Sequence, residues 1–229
     1  MVAFSRDGDR AVVNLPCHDR TLLCARGPPN VHLDALSIFS PKINLSLPSG
    51  PIVNEVEIFT LGKDQLSTLK RVCGGRGVST FSPVSAHMWQ CMCLARRLPP
   101  DSTTRIVFPA NFRRIMAPPL PNSYFGNAMI RVSVADEARR IASGDLAYIA
   151  CRIRDTLGQV NDELVHSAIN YLDQAKRDDE PPAVGSLPVT DTRVVSWLGM
   201  PLYDVDFSWG KPLAMLLAES NRTAEAMCS

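Results

Sequence analysis

Apolar and polar positions alternate with two different periods along this chain, and the switches between them outline its elements. Val53, Glu55, Glu57 and Phe59 alternate against Asn54, Val56, Ile58 and Thr60, the pattern of a half-buried strand over Val53 to Leu61. Leu66, Leu69 and Val72 then share one face of a helix from Lys63 to Val72, which Gly74, Gly75 and Gly77 stop. Ser82 and Pro83 read as a helix start, and the helix runs to about Leu98. Val84, Met88, Trp89 and Met92 are its expected inward side, with Cys91 and Leu94 widening the stripe. Thr103 to Asn111 is rich in β-formers and predicts a strand. The prolines of 118–121 predict a rigid extended link, and Ala128 to Val134 alternates as a further strand.

The second half turns helical. Ser133 and Asp136 match a capping box that would open a helix. After Ser143, Gly144 and Asp145, the residues Leu146, Ile149, Ile153 and Leu157 keep helical register. Asn161 can cap a further helix through Ala175, apolar at Leu164, Val165, Ala168, Ile169 and Leu172. Arg177 to Pro188 predicts an exposed loop and Arg193 to Trp197 a short strand. Leu202 to Phe207 alternates again, before Gly210 and Pro212 punctuate the chain. Two tryptophans beside a tight turn there suggest a buried corner. Upstream, 1–30 reads as an irregular connector, Val31 to Phe39 as weakly helical and Pro41 to Pro51 as a loop. The order predicts an α/β fold, a mixed sheet with helices packed on it.

Composition narrows the partners. The chain has 229 residues, 45% of them hydrophobic, enough for a sizeable core. Its net charge is +1 with the signs mixed, so neither nucleic acid nor a membrane surface is an expected partner. No apolar run approaches the ~20 residues that span a bilayer, and the first ten residues have no signal-peptide character. A cytoplasmic monomer is the expectation. Seven cysteines, with Cys91 and Cys93 only two apart, do not make a zinc or redox pair. They read as reduced and mostly buried, with no metal site. The glycine-rich turn at 74–77 lies near Arg71 and Arg76 but lacks the Lys-Ser/Thr ending of a phosphate loop, which favours a surface loop.

Four short motifs carry a more specific signal. Asp206-Phe207-Ser208-Trp209-Gly210 resembles the DFGWG motif of the plant BAHD acyl-CoA-dependent acyltransferases, with Ser208 in place of the middle glycine. Tyr124-Phe125-Gly126-Asn127, preceded by Pro118-Pro119-Leu120-Pro121, resembles the same family's PPLP and YFGN segment. Ser79-Thr80-Phe81 running into Ala86-His87-Met88-Trp89 resembles its STF helix, and the stretch from His18 to Pro29 its DR.LL.AR.PP segment. The resemblance implies a truncated second domain of chloramphenicol-acetyltransferase type. It implies that 1–50 is what remains of an inter-domain crossover, 51–217 the C-terminal domain and 218–229 a divergent tail.

The same resemblance implies acyl transfer from a CoA thioester, a co-substrate rather than a cofactor, by a histidine base in an HXXXD motif. The fourth residues after His18, His32, His87 and His166 are Leu22, Leu36, Cys91 and Asn170. The motif is therefore missing from these residues. A positioned base contributes ~10²–10⁴-fold, so the chain by itself is expected to be inactive. His87 reads as a packed or surface residue. Arg113 matches the arginine that pairs with the missing aspartate, and reads here as solvated. Asp206, Phe207, Trp209 and Gly210 match structural positions, with Trp209 near the reacting acyl group. If position 208 needs a positive φ, Ser208 is strained there. Ser79, Thr80 and Asn127, with Trp209, match the acyl and CoA channel.

Trp197 and Gly199 match the acceptor pocket, where shikimate- and quinate-using members resemble SW.RLP with an arginine. Gly199 stands at that arginine's place, which suggests an amine acceptor such as putrescine, agmatine or tryptamine. The alternatives are a hydroxyl acceptor of the shikimate or quinate type, a non-catalytic binding remnant, and an unrelated α/β binding module.

Overall fold

The computed structural model describes residues 7–11, 15–26, 57–75, 77–178, 187–206 and 209–214, together with the backbone of 225–228. Helix α1 spans Lys63–Val72, α2 Phe81–Ala95, α3 Ala138–Ser143, α4 Leu146–Gly158 and α5 Asp162–Arg177. Strands β1 (Thr103–Asn111), β2 (Met129–Glu137), β3 (Asp191–Ser196) and β4 (Glu225–Cys228) form one mixed sheet in the order β2-β1-β3-β4. β1 and β2 are antiparallel, with Thr103 opposite Glu137 and Asn111 opposite Met129. β3 runs parallel to β1 and β4 parallel to β3.

Alternation in β1 and β2 decides where the core sits. Ile106, Phe108 and Ala110, with Ile130, Val132 and Val134, turn to the face covered by helices. There they meet Trp89 of α2, Ile141 of α3, and Ile149 and Ile153 of α4, all fully buried. Val107 faces the other way and packs on Leu187.

Helix α2 runs opposite to β1. Near its start, Phe81 meets Phe108 edge-on at 5.6 Å. In its middle, Trp89 Nε1 donates to Thr104 Oγ1 at 3.0 Å. Just past its end, Arg96 Nη1 donates to the carbonyls of Val189 and Asp191, both at 2.8 Å. Its inward face matches the expected one in part. Val84 and Trp89 are buried as expected, together with Ser82, Ser85, Ala86 and Cys93, whereas Met88 and Met92 are half-buried and Leu94 is exposed. The small residues beside Trp89 let the helix lie close to the sheet.

Two helices follow their sequence signals. Asp145 Oδ1 accepts from Ala147 N at the start of α4, and Asn161 Oδ1 accepts from Leu164 N at the start of α5. Gly74, Gly75 and Gly77 all have positive φ after α1, the freedom that only glycine offers cheaply.

Other expectations are corrected. Ser133 and Asp136 open no helix, because the β1 ladder continues to Glu137 and α3 begins only at Ala138. Asp136 instead stays on the strand and accepts from Arg152 of α4. Residues 57–61 form no strand, and Ile58 and Phe59 are 71% and 85% exposed. Alternation marks two faces, but a strand needs a ladder, and no described strand pairs with them. The link at 118–121 is part of a folded-back loop, in which Leu120 N donates to Arg113 O at 2.9 Å. Leu202–Asp204 is a 3₁₀ turn, not a strand.

Of the six described cysteines, all free thiols, only Cys73 and Cys93 are buried. Burial pushes both of those thiols up. The expected helix at 31–39 and the loop at 41–51 lie outside the described residues. No helix among the described residues is long and apolar enough to cross a membrane.

Candidate functional site

Strand direction gathers the motif residues at one end of the sheet. β1 and β3 are parallel, so Asn111 and Ser196 close the same end, and the antiparallel β2 begins there at Met129. Because α2 runs against β1, its N-terminus comes to that end too. Ser79 and Thr80, Arg113, Asn127, Trp197 and Gly199 therefore all flank the carboxyl ends of the parallel strands. Open α/β sheets characteristically place their ligand sites there.

The best-ordered part of this end is built around Arg113. Its Nη2 donates to Gly126 O at 2.6 Å and its Nη1 to Asn111 Oδ1 at 3.3 Å. The guanidinium carbon lies 5.8 Å from the Tyr124 ring centre. The expectation of a solvated arginine is thus corrected. Its partners are a backbone carbonyl, an adjacent amide and a ring face, none of which a charge-pairing argument would look for. Tyr124 is buried and lies across Gly126.

The N-terminal segment joins the same loop. Cys17 N donates to Ser123 O and Phe125 N to Cys17 O, each at 2.9 Å. The His18 ring meets the exposed Phe125 ring edge-on at 5.8 Å. Asp19 Oδ1 accepts from Thr21 N at 2.9 Å, which holds the Asp19 carboxyl below the usual range. Helix α5 anchors both pieces from behind. Asp162 Oδ1 accepts from Ala117 N at 2.8 Å, and Asn170 Oδ1 from Arg26 N at 3.1 Å. Sequence alone does not mark His18 and Phe125 as neighbours at this end of the sheet. The signal for Phe125 lies in the extended YFGN run, where a buried Tyr124 puts its neighbour on the outer side.

Trp197 and Gly199 belong to a second loop. Met200 N donates to Trp197 O at 3.0 Å, closing a turn in which Gly199 has φ +81°. Trp197 is half-buried and Gly199 exposed, with open space around the position of a Cβ. Asp206 Oδ1 accepts from Gly210 N at 3.3 Å, and Gly210 has φ +107°. Trp209 is 85% exposed, so the expected buried corner is corrected: the turn there is closed by backbone and carboxylate bonds, and the indole is left on the outside. Phe207 and Ser208 lie outside the described residues. Ser79 and Asn127 are exposed and Thr80 half-buried. Among the described residues no three His, Cys, Asp or Glu side chains come together to hold a metal ion. His166, buried on α5, lies 3.5 Å from Asp162 and has no described hydrogen bond.

A family model described as the transferase family matches residues 3–228. The chain belongs to this family, that of the BAHD acyltransferases. Among BAHD relatives it is 36% identical over 226 residues to putrescine hydroxycinnamoyltransferase 1 of Oryza sativa subsp. japonica, covering 93% of this chain and 50% of that protein. It is 29% identical over 211 residues to shikimate O-hydroxycinnamoyltransferase of Nicotiana tabacum, covering 87% and 48%. The chain thus spans about half the length of the curated relatives it matches.

Solved structures share the fold. F. graminearum TRI101 complexed with coenzyme A and deoxynivalenol has a TM-score of 0.64 at 18% identity, over 85% of this chain and 46% of that one. Vinorine synthase has a TM-score of 0.57 at 23% identity, over 73% and 38%. The carboxyl end of the sheet in this BAHD chain carries residues from three of the four motifs: His18, Ser79 and Thr80, and Tyr124 to Asn127. That end presents hydrogen-bonding groups, ring faces and the Gly199 turn.

Proposed function

We propose that the protein to which these residues belong transfers a hydroxycinnamoyl group from its CoA thioester to an amine, of the putrescine, agmatine or tryptamine kind. The observation that carries the acceptor is Gly199. The Trp197–Met200 turn is built on a left-handed glycine, with no cation at that position to hold a carboxylate. The higher identity to a putrescine-named relative than to a shikimate-named one supports the same reading. These 229 residues hold no HXXXD, so the polypeptide by itself lacks the family's general base.

The test joins these residues to the first half of the rice putrescine hydroxycinnamoyltransferase and follows CoA release. The joined protein is expected to use putrescine, agmatine or tryptamine at least about tenfold better than shikimate, the scale of one lost charged contact. The 229-residue chain alone is expected to show no turnover of hydroxycinnamoyl-CoA. Preference for shikimate would overturn the acceptor, and family-like turnover by the short chain would overturn the missing base.

A further inference from the structure

Two hydrogen bonds leave one side of α5 for segments that lie far apart in the sequence. Asp162 Oδ1 accepts from Ala117 N at 2.8 Å, and Asn170 Oδ1 accepts from Arg26 N at 3.1 Å. The buried His166 fills the turn between the two acceptors, so all three follow at four-residue steps along one side of the helix. The first bond reaches the loop 112–120. Inside that loop the amides of Ile115 and Met116 donate to Phe112 O, and that of Leu120 donates to Arg113 O. The Ala117 amide instead goes to the helix. Arg113, at the base of the loop, then donates to Gly126 O at 2.6 Å and lies over the Tyr124 ring. The second bond reaches the segment 17–26. At its other end Cys17 N donates to Ser123 O and Cys17 O accepts from Phe125 N, each at 2.9 Å. Both chains of contacts therefore start on α5 and end on the same loop, 123–126.

We propose that Asp162 and Asn170 are positioning residues: α5 sets where the 123–126 loop stands at the carboxyl end of the sheet, and with it the acyl-transfer site. The second half of that statement rests on the proposed function above. Neither residue acts on a substrate directly, because each works through one backbone amide of another segment. What each supplies is an accepting oxygen. Asparagine at 162 keeps that oxygen and can stand in for aspartate, whereas alanine has none. A role for Asp162 through its charge alone, at the start of α5, would make asparagine fail as alanine does. A displaced loop misaligns reacting groups, so its cost falls on kcat more than on KM.

Hydrogen exchange of the full 229-residue chain, read by mass spectrometry on peptides over 17–26, 112–120 and 123–127, tests the two tethers. Asp162→Ala is expected to speed exchange over 112–120 and 123–127 about fivefold, the scale of one net hydrogen bond. Asn170→Ala is expected to do the same over 17–26 and 123–127. Asp162→Asn is expected to exchange at about the native rate. The centre of β1 is the control for folding, and if Asn170→Ala unfolds the chain, the two Asp162 variants decide. In the joined protein described above, Asp162→Ala is expected to lower kcat with putrescine about fivefold or more while KM moves less, and Asp162→Asn to restore it. Native exchange over 123–127 in the folded alanine variants, or equal effects of asparagine and alanine at 162, would overturn the tethers. Faster exchange with an unchanged kcat would overturn their link to the site. A joined protein that turned over no acceptor would overturn the proposed function and that link with it, while the exchange rates of the 229-residue chain would still decide the tethers.

Discussion

A β-carbon on Gly126 would lie 2.6 Å from the Tyr124 hydroxyl oxygen and 2.9 Å from its Cζ. The Tyr124 ring cannot swing away freely, because it is buried and the Arg113 guanidinium sits over it. The Gly126 carbonyl meanwhile receives the 2.6 Å bond from Arg113. One glycine therefore allows a ring, a cation and a carbonyl to share a space that a methyl group would fill. Gly126→Ala is expected to destabilise the chain by ~1–3 kcal/mol, the usual cost of overpacking a filled site. Urea unfolding would show this as a lower midpoint at an unchanged slope. An unchanged midpoint would mean that Tyr124 relaxes without loss. Gly199 presents the opposite case: its surroundings are open, and only its φ of +81° favours glycine. An arginine there would meet backbone strain and no steric clash.

Three elements are joined at the amino end of the sheet by buried polar groups. Trp89 of α2 donates to Thr104 of β1, and Thr104 Oγ1 donates to Thr190 O at 2.6 Å. Arg96, past the end of α2, holds the Asp191 carbonyl at the start of β3. The buried Asp191 carboxylate lies 3.8 Å from Arg105 Nε, and Thr190 Oγ1 donates to it at 3.2 Å. Burial pushes the Asp191 carboxyl above the usual carboxylate range, against the downward pull of Arg105. The folded chain then binds this proton more readily than the unfolded chain does. Stability from this group accordingly falls as pH rises through the window above the ordinary carboxylate pKa. Asparagine has no such titration. Asp191→Asn is therefore expected to compare more favourably with the native chain at about pH 7 than at about pH 4.5, measured by urea unfolding at both. A difference that does not change with pH would show that Arg105 offsets burial completely. None of this joint is legible from local pattern, because its members lie on α2, β1 and β3 and meet only once the sheet forms. What the pattern does reveal is local: the caps at Asp145 and Asn161, the glycine stop after α1, and the strand over Thr103–Asn111. It misleads where local and distant bonding compete. Asp136 has the spacing of a helix cap, yet the ladder to β1 and the Arg152 guanidinium hold it on a strand. Motif order could not anticipate that Arg113 binds a carbonyl and a ring.

The molecule as a whole divides its labour between the two ends of the sheet. The amino end is tied by buried bonds around Thr104 and Asp191. The carboxyl end carries the loops with the motif residues, and there Phe125, Met129 and Met200 are exposed. Sites that must admit and release ligands are drawn from the least stable parts of a fold. Amides in the middle of β1, such as that of Val107, lie between the β2 ladder on one side and the β3 ladder on the other. They can exchange only when the sheet opens. Amides of the turn from Trp197 to Asp204 depend on single short-range bonds, such as Met200 N to Trp197 O and Asp204 N to Pro201 O. Hydrogen exchange followed by mass spectrometry is expected to find the centre of β1, paired on both sides, protected about a hundredfold or more beyond the 197–204 turn. The Tyr124–Asn127 loop should fall between them, because Arg113 and the Cys17 bridge hold it from two sides. If the turn exchanged as slowly as β1, it would be as rigid as the core. Its form would then be a fixed shape set by the left-handed Gly199, and not that of a loop that adjusts.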